Sequence, residues 1–322
     1  MNMAGLNVSA QMSNKATLAR QIRRERAKVH KRPPIPTSFE ALFNLPIDYT
    51  LATDGTKFLA TLEYVDKEET KAMMVYISEH GKRMLQTFTV MQCDGNFSTC
   101  PKPFEQIYFI MACTPKGKAI PAAFVLLPGR TTAIYNAMFS AIEKAVGSNL
   151  SHLQAVVVDF ELAVHNVIRD RYKQAVISGC LFHQRQAIDR QVKFKGLGSL
   201  YNQEATFQEA VQLFYSLAYV PEEDVEDCFY DVVMEFFENN IDDWDERYGV
   251  RQNVEEFGVY LELSYIAKKP RRGKKQPALF PISTWNKFAI YSGHQEEQRQ
   301  EVPATNNAVE AYNSRLVLIA SI

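Results

Sequence analysis

The sequence predicts an α/β fold, a mixed β-sheet with flanking helices interrupted by an all-helical insertion. Three observations predict it. Three strand-like runs follow one another in the first half, joined by short turn-rich links. A short Val-rich run comes next, with helical spacing on both sides of it. From about residue 184 to 265 the apolar period is helical throughout. A chain of 322 residues has room for about two domains, or one domain with a large insertion. Its 46% hydrophobic content, with 20 Phe and 15 Tyr, excludes wholesale disorder. No run of 18 apolar residues predicts a membrane span, and five scattered Cys do not read as a disulfide framework. The expectation is a soluble intracellular protein.

The elements follow in order. Residues 1–36 are a basic arm, expected to be disordered, that ends in Pro33-Pro34-Ile35-Pro36, and residues 37–83 form an N-terminal accessory segment. A core spans 84–190. Its strand-like runs at 84–93, 104–113 and 119–127 are rich in Val, Ile, Phe and Tyr and separated by Asp-Gly and Pro-Gly signals, which suits an antiparallel meander. Residues 131–146 place Ile134, Met138, Ile142 and Ala145 at helical spacing and stop near Gly147. The run 153–159 reads as a buried parallel strand ending in a carboxylate; a helix at 161–172 and a short run at 175–177 complete a strand–helix–strand unit. Residues 191–300 are the helical insertion, with long helical stretches in the 184–265 region at 202–217 and 221–239. The core resumes at 301–322, where Thr305-Asn306-Asn307 is a helix N-cap signature and Val309, Tyr312, Leu316 and Ile319 share a stripe. Three antiparallel strands, a helix, a parallel strand and then helices is the element order of an RNase H-like fold.

Near-neutral net charge hides strong segregation. Between Arg20 and Arg32 lie seven basic residues and one acid, Glu25. A second block carries Lys268, Lys269, Arg271, Arg272, Lys274 and Lys275, broken by Pro270 and Gly273. From Glu222 to Glu246 there are twelve carboxylates and no Lys or Arg. The basic segments suit a polyanion, because each neutralised phosphate releases counterions. Solvated surface, or a nuclear-import signal in the arm, is the alternative.

Three acids stand out. Asp94 ends the first strand run, and Asp-Gly there equally suits a hairpin turn. Asp159 ends the buried strand, where an N-cap for the next helix is the other reading. Glu310 opens the last helix, with Asn306 and Asn313 on the same face, which equally suits a solvated surface. In this strand order the first and fourth strands are neighbours, so carboxylates at their ends converge. Crowded carboxylates either take up protons or hold divalent cations.

Six blocks in order carry a resemblance. They are Asp94-Gly95-Asn96-Phe97 with 103–108, then 121–127 with Tyr135, Asp159-Phe160-Glu161, Gly179-Cys180-Leu181-Phe182-His183-Gln184, 282–286, and Thr305 to Glu310. From about residue 34 to 318 the chain resembles the MULE transposase domain, the catalytic part of Mutator-like transposases. The resemblance implies a DDE-type DNA transposase in which Asp94, Asp159 and Glu310 bind two Mg²⁺ ions, with Mn²⁺ able to substitute. It implies strand cleavage at transposon ends and attack of the freed 3′-hydroxyl on target DNA, with double-stranded DNA as partner, nuclear location, and a homo-oligomer among the expected assemblies. The chain stops at Ile322, soon after Glu310, which leads to the expectation of a fragment or a domesticated relic. The alternative function is accordingly a catalytically inactive, transposase-derived DNA-binding protein or transcription regulator.

Cys180 and His183 form an auxiliary pair. Two ligands are half of a structural zinc set, so zinc is not expected, and His183 is placed beside the carboxylates, with a satisfied core histidine as the alternative. The basic block at 268–275 is assigned to phosphate contact. Trp285 is placed with it as a platform for an unpaired base, the alternative being a core aromatic that docks the helices on the sheet.

Overall fold

The computed structural model describes residues 17–18, 20–22, 24–25, 36–66, 68, 70–267 and 276–291. Among them seven strands form one sheet: β1 (Leu59–Tyr64), β2 (Ala72–Ile77), β3 (Val90–Asn96), β4 (Gln106–Cys113), β5 (Ala119–Leu127), β6 (Ala155–Val158) and β7 (Val176–Gly179). Their spatial order is β1-β2-β5-β4-β3-β6-β7. The five strands from β1 to β3 pair antiparallel, whereas β3–β6 and β6–β7 are parallel. The sheet is mixed and the class is α/β.

Three helices cover one face: α1 (Glu79–Thr87), α2 (Thr132–Val146) and α3 (Leu162–Arg171). Alternation decides which strand residues they meet. Met91 and Cys93 of β3, Tyr108 and Ile110 of β4, and Val156 and Val158 of β6 turn toward them and join Leu85, Tyr135, Met138 and Ile168 in one buried cluster. The ends of α2 are defined locally. The Thr131 hydroxyl accepts the Ile134 N–H at 3.3 Å, and Gly147 closes the helix at φ 72°.

Two expectations are corrected here. The run placed at 84–93 is not one strand: residues 84–87 belong to α1, capped by Ser78, whose hydroxyl accepts the Gly81 N–H at 3.0 Å, and the strand begins at Val90. The sheet also takes in β1 and β2, which lie in the segment 37–83 read as accessory. The Val-rich run, the helices on either side of it and the adjacency of first and fourth strands are found as expected.

After β7 the chain is helical: α4 (Leu181–Phe194), α5 (Gly198–Gln203), α6 (Ala205–Ser216), α7 (Val225–Cys228), α8 (Glu235–Tyr248) and α9 (Arg251–Leu261). A π-helical turn, Phe229–Met234, links α7 to α8, and another, Glu262–Ile266, extends α9. These helices have their own core of Phe207, Phe214, Phe229, Phe237, Trp244, Phe257 and Tyr265. The rings meet edge to face, as Phe207 and Trp244 do at 5.2 Å, the arrangement favoured by aromatic quadrupoles. The block returns to the sheet through α10 (Ile282–Trp285) and α11 (Phe288–Tyr291). There the buried Lys287 donates to the Ser178 hydroxyl of β7 at 2.6 Å. The expected closing core segment, 301–322, lies outside the described residues.

Candidate functional site

Strands β3, β6 and β7 run in one direction and end at one edge of the sheet, the edge where ligands sit in open α/β sheets. Pairing of β3 with β6 sets Val90 beside Ala155 and Gln92 beside Val157. Asp94 and Asp159 are separated by the same 65 positions. Carried on by two residues, the same offset would align Asp94 with Asp159, which follows the end of β6, on the face that carries Gln92 and Val157. Neighbouring strands lie about 4.8 Å apart. Both aspartates line one cavity of about 720 Å³. Val158 pairs with Gly179, so the β6–β7 register places Cys180 next to Asp159. A side chain at Gly179 is excluded by the Phe160 ring, 2.4 Å from where a Cβ would stand.

Asp159 is electrostatically poised. Burial, reinforced by the charge of Glu161, pushes its carboxyl up to about 7, while Arg130 and Arg190 pull the other way. Its Oδ1 is buried without a hydrogen-bond partner, and its backbone carbonyl accepts from His165 Nε2 at 2.7 Å. Burial holds His165 down at about 4, so it is neutral with the proton on Nε2. Glu161, also raised by burial, is oriented by a short chain of donors. Gln106 Nε2 donates to the Gly129 carbonyl at 3.0 Å and to the Tyr135 hydroxyl at 3.1 Å, and that hydroxyl donates to Glu161 Oε2 at 2.8 Å.

Asp94 is buried inside β3, and His183 Nε2 stands 3.9 Å from its Oδ1. Burial and Arg190 lower the His183 pKa, so near neutral pH the imidazole is uncharged and the contact is polar rather than ionic. Helix α4 sets that imidazole by its spacing. Phe182, His183, Gln186, Ala187 and Arg190 face the cavity, whereas Leu181, Ile188 and Val192 pack into the helical core.

The donor set suits a hard divalent cation: two neighbouring carboxylates, one with an unpartnered buried oxygen, at the wall of a polar cavity. Among the described residues no group of three or more His, Cys, Asp or Glu side chains is placed to hold a metal. The third expected acid, Glu310, lies outside the described residues. Cys180 is buried at the start of α4, three positions before His183.

Of the other expected site residues, Lys268, Lys269, Arg271, Arg272, Lys274 and Lys275 lie outside the described residues. Trp285 is corrected. It is fully buried among Phe214 and Tyr265, and its indole N–H donates to the Tyr265 carbonyl at 3.1 Å, so no face is left for a base. It is the core aromatic of the alternative reading. Sequence reasoning quoted Phe97, Glu161 and Phe182 within its motif blocks without giving them a role, and passed over Arg130 and Arg190; all five line the cavity. The available signal was position: each follows a strand end or rides the helix after one. No curated protein matches this chain. Residues 90–187, the stretch from the start of β3 into α4 that holds both aspartates and His183, match the family model described as the MULE transposase domain.

Proposed function

We propose that this cavity is the catalytic centre of a DDE-type DNA transposase, which cleaves strands at transposon ends and joins the freed 3′-hydroxyl to target DNA. The observation that carries the reading is that Asp94 and Asp159 line one cavity at the ends of the neighbouring parallel strands β3 and β6, inside the segment similar to MULE transposase domains. In this reading the sheet is an RNase H-like core and the helices after β7 are its insertion. Asp94, Asp159 and Glu310 hold two Mg²⁺ ions, or Mn²⁺ in their place. When bound, such ions stabilise the attacking and leaving oxygens of an in-line phosphoryl displacement.

The chain's own groups have distinct parts. Asp159, whose carboxyl is raised to about 7 by burial, would offer its unpartnered buried Oδ1 to such a cation and would have to be ionised to hold it. The Gln106–Tyr135 donors hold Glu161 in one orientation beside it. His183 lies against Asp94 as an uncharged polar neighbour. Arg130 and Arg190 bring positive charge to a cavity that also holds the carboxylates Asp94, Asp159 and Glu161, which suits a phosphodiester.

Mn²⁺ binding followed by electron paramagnetic resonance tests the reading. The wild-type chain is expected to bind, and Asp94→Asn and Asp159→Asn to weaken binding by about 10-fold or more. Nicking of terminal-repeat DNA in Mg²⁺ should disappear in both variants while their folds persist. A wild-type chain that binds terminal-repeat DNA but neither Mn²⁺ nor Mg²⁺ would instead favour the inactive, domesticated regulator.

A further inference from the structure

The reading above leaves unassigned the rim of the cavity, where two phenylalanines stand in water. Phe97, just past the end of β3, is 47% exposed, and Phe182, in the first turn of α4, is 40% exposed. Single exposed apolar side chains are ordinary on a protein surface. Two aromatic rings on one cavity, interleaved with two arginines, form a pattern of a different kind. The Arg130 guanidinium lies over one face of the Phe97 ring, 4.8 Å from its centroid, which leaves the other face for a second planar group. Phe182 meets the His183 ring at 5.6 Å with the planes steeply inclined, and it keeps 40% of its surface in water. Along α4, Phe182, Gln186 and Arg190 follow at four-residue steps, a line of aromatic, amide and cation about 12 Å long.

Resting on the proposed function for the occupancy of this cavity by DNA, we propose that the rim seats one unpaired nucleotide. Its base stacks on Phe97 and Phe182, and its flanking phosphates meet Arg130 and Arg190. A paired base is covered above and below by its neighbours in the duplex and offers no face to a protein ring, so the nucleotide is single-stranded or turned out of the stack. Aromatic stacking accepts any base, because every base has a π-face, and the seat therefore sets strand geometry rather than sequence. A cavity of about 720 Å³ falls within the range of small-ligand sites, large enough for one nucleotide.

The test places 2-aminopurine as the first unpaired base of a 3′ overhang on a short duplex and titrates it with the full chain in Mg²⁺ buffer. A blunt duplex serves as control. Wild type is expected to quench the probe and to prefer the overhang. Phe97→Ala and Phe182→Leu should each weaken overhang binding by roughly 5- to 100-fold. They should leave blunt-duplex binding and Mn²⁺ binding unchanged, and Phe182→Trp should retain quenching. Arg130→Gln and Arg190→Gln should each reduce the slope of log K against log salt by about 0.7. Equal binding of overhang and blunt DNA by wild type, or phenylalanine variants that quench as wild type does, overturns the nucleotide seat while the catalytic reading stands on its Mn²⁺ and nicking results. Failure of wild type to bind either DNA overturns both.

Discussion

At Asp159, burial and the neighbouring charge of Glu161 act in the same direction, and the carboxyl rises from 3.8 to about 7. An acid whose folded pKa exceeds its unfolded value stabilises the fold fully below the unfolded value, and that contribution is lost as pH rises through the folded one. The cation-free protein is therefore expected to lose stability at this site between about pH 4 and pH 7. Asp159→Asn removes the charge and should be the more stable protein at pH 8, by roughly 1–4 kcal/mol, with little difference at pH 4. Thermal unfolding of the pair in chelator at both pH values checks this, and equal melting temperatures at pH 8 would mean that the carboxylate is well solvated. His165 has the opposite sign, keeping its contribution above its ordinary 6.5 and losing it as pH falls through about 4, and the comparison cancels its effect. Both aspartates were legible as candidates, each with an ordinary alternative. The structure removes those alternatives: Asp94 lies within β3 rather than in a turn, and the N-cap of α3 is Glu161, not Asp159. Glu161 was not legible as a site residue, because its orientation depends on Tyr135 and Gln106, 26 and 55 positions away in the chain.

Among the elements, β7 depends on a missing side chain. Phe160, packed edge to face against Tyr265 at 5.9 Å and Phe280 at 5.0 Å, occupies the space over Gly179. Gly179→Ala would force the ring out of that packing at a cost of about 1–3 kcal/mol. Phe160→Leu should recover part of the loss when the two changes are combined, and a double-mutant cycle in denaturant measures the coupling. Strictly additive costs would show that the ring is free to move away. The Val-rich β6 was legible because four consecutive buried apolar residues have few other readings. Residues 84–87 were not, since Met-Leu-Gln-Thr runs straight into the β-prone Phe-Thr-Val; the helix is fixed from its far end by the Ser78 cap, and the chain turns extended only at Phe88. Strand β2 was hidden by its composition: Ala-Met-Met-Val-Tyr-Ile opens with good helix formers and takes its extended form from pairing with β1 and β5.

On the scale of the whole molecule, the sheet core and the helical core meet where α10 reaches β7, and Lys287 lies in that seam with only 1% of its surface exposed. Its ammonium donates to Ser178, its backbone N–H donates to the Ala218 carbonyl at 2.7 Å, and burial pulls its pKa from 10.5 down to about 8. A base shifted in this sense contributes stability above its unfolded pKa and loses it as pH falls through the folded one. The melting temperature of wild type relative to Lys287→Met should accordingly decline from pH 10.5 to pH 8 and then level off. A difference that stays flat over this interval would mean that the lysine reaches water. Nothing in the sequence marked Lys287, because a lysine beside short polar and aromatic residues reads as surface until the return of α10 buries it.

The common offset that joins the two aspartates also fixes which changes in chain length the site can absorb. Residues added to the 97–105 loop, or to the connection between α2 and β6, leave both carboxylates at the same edge and on the same face. One residue added inside β3 or β6 reverses the alternation beyond it and turns a carboxylate toward the apolar helices. Length can change in these connections, whereas phase within the two strands cannot.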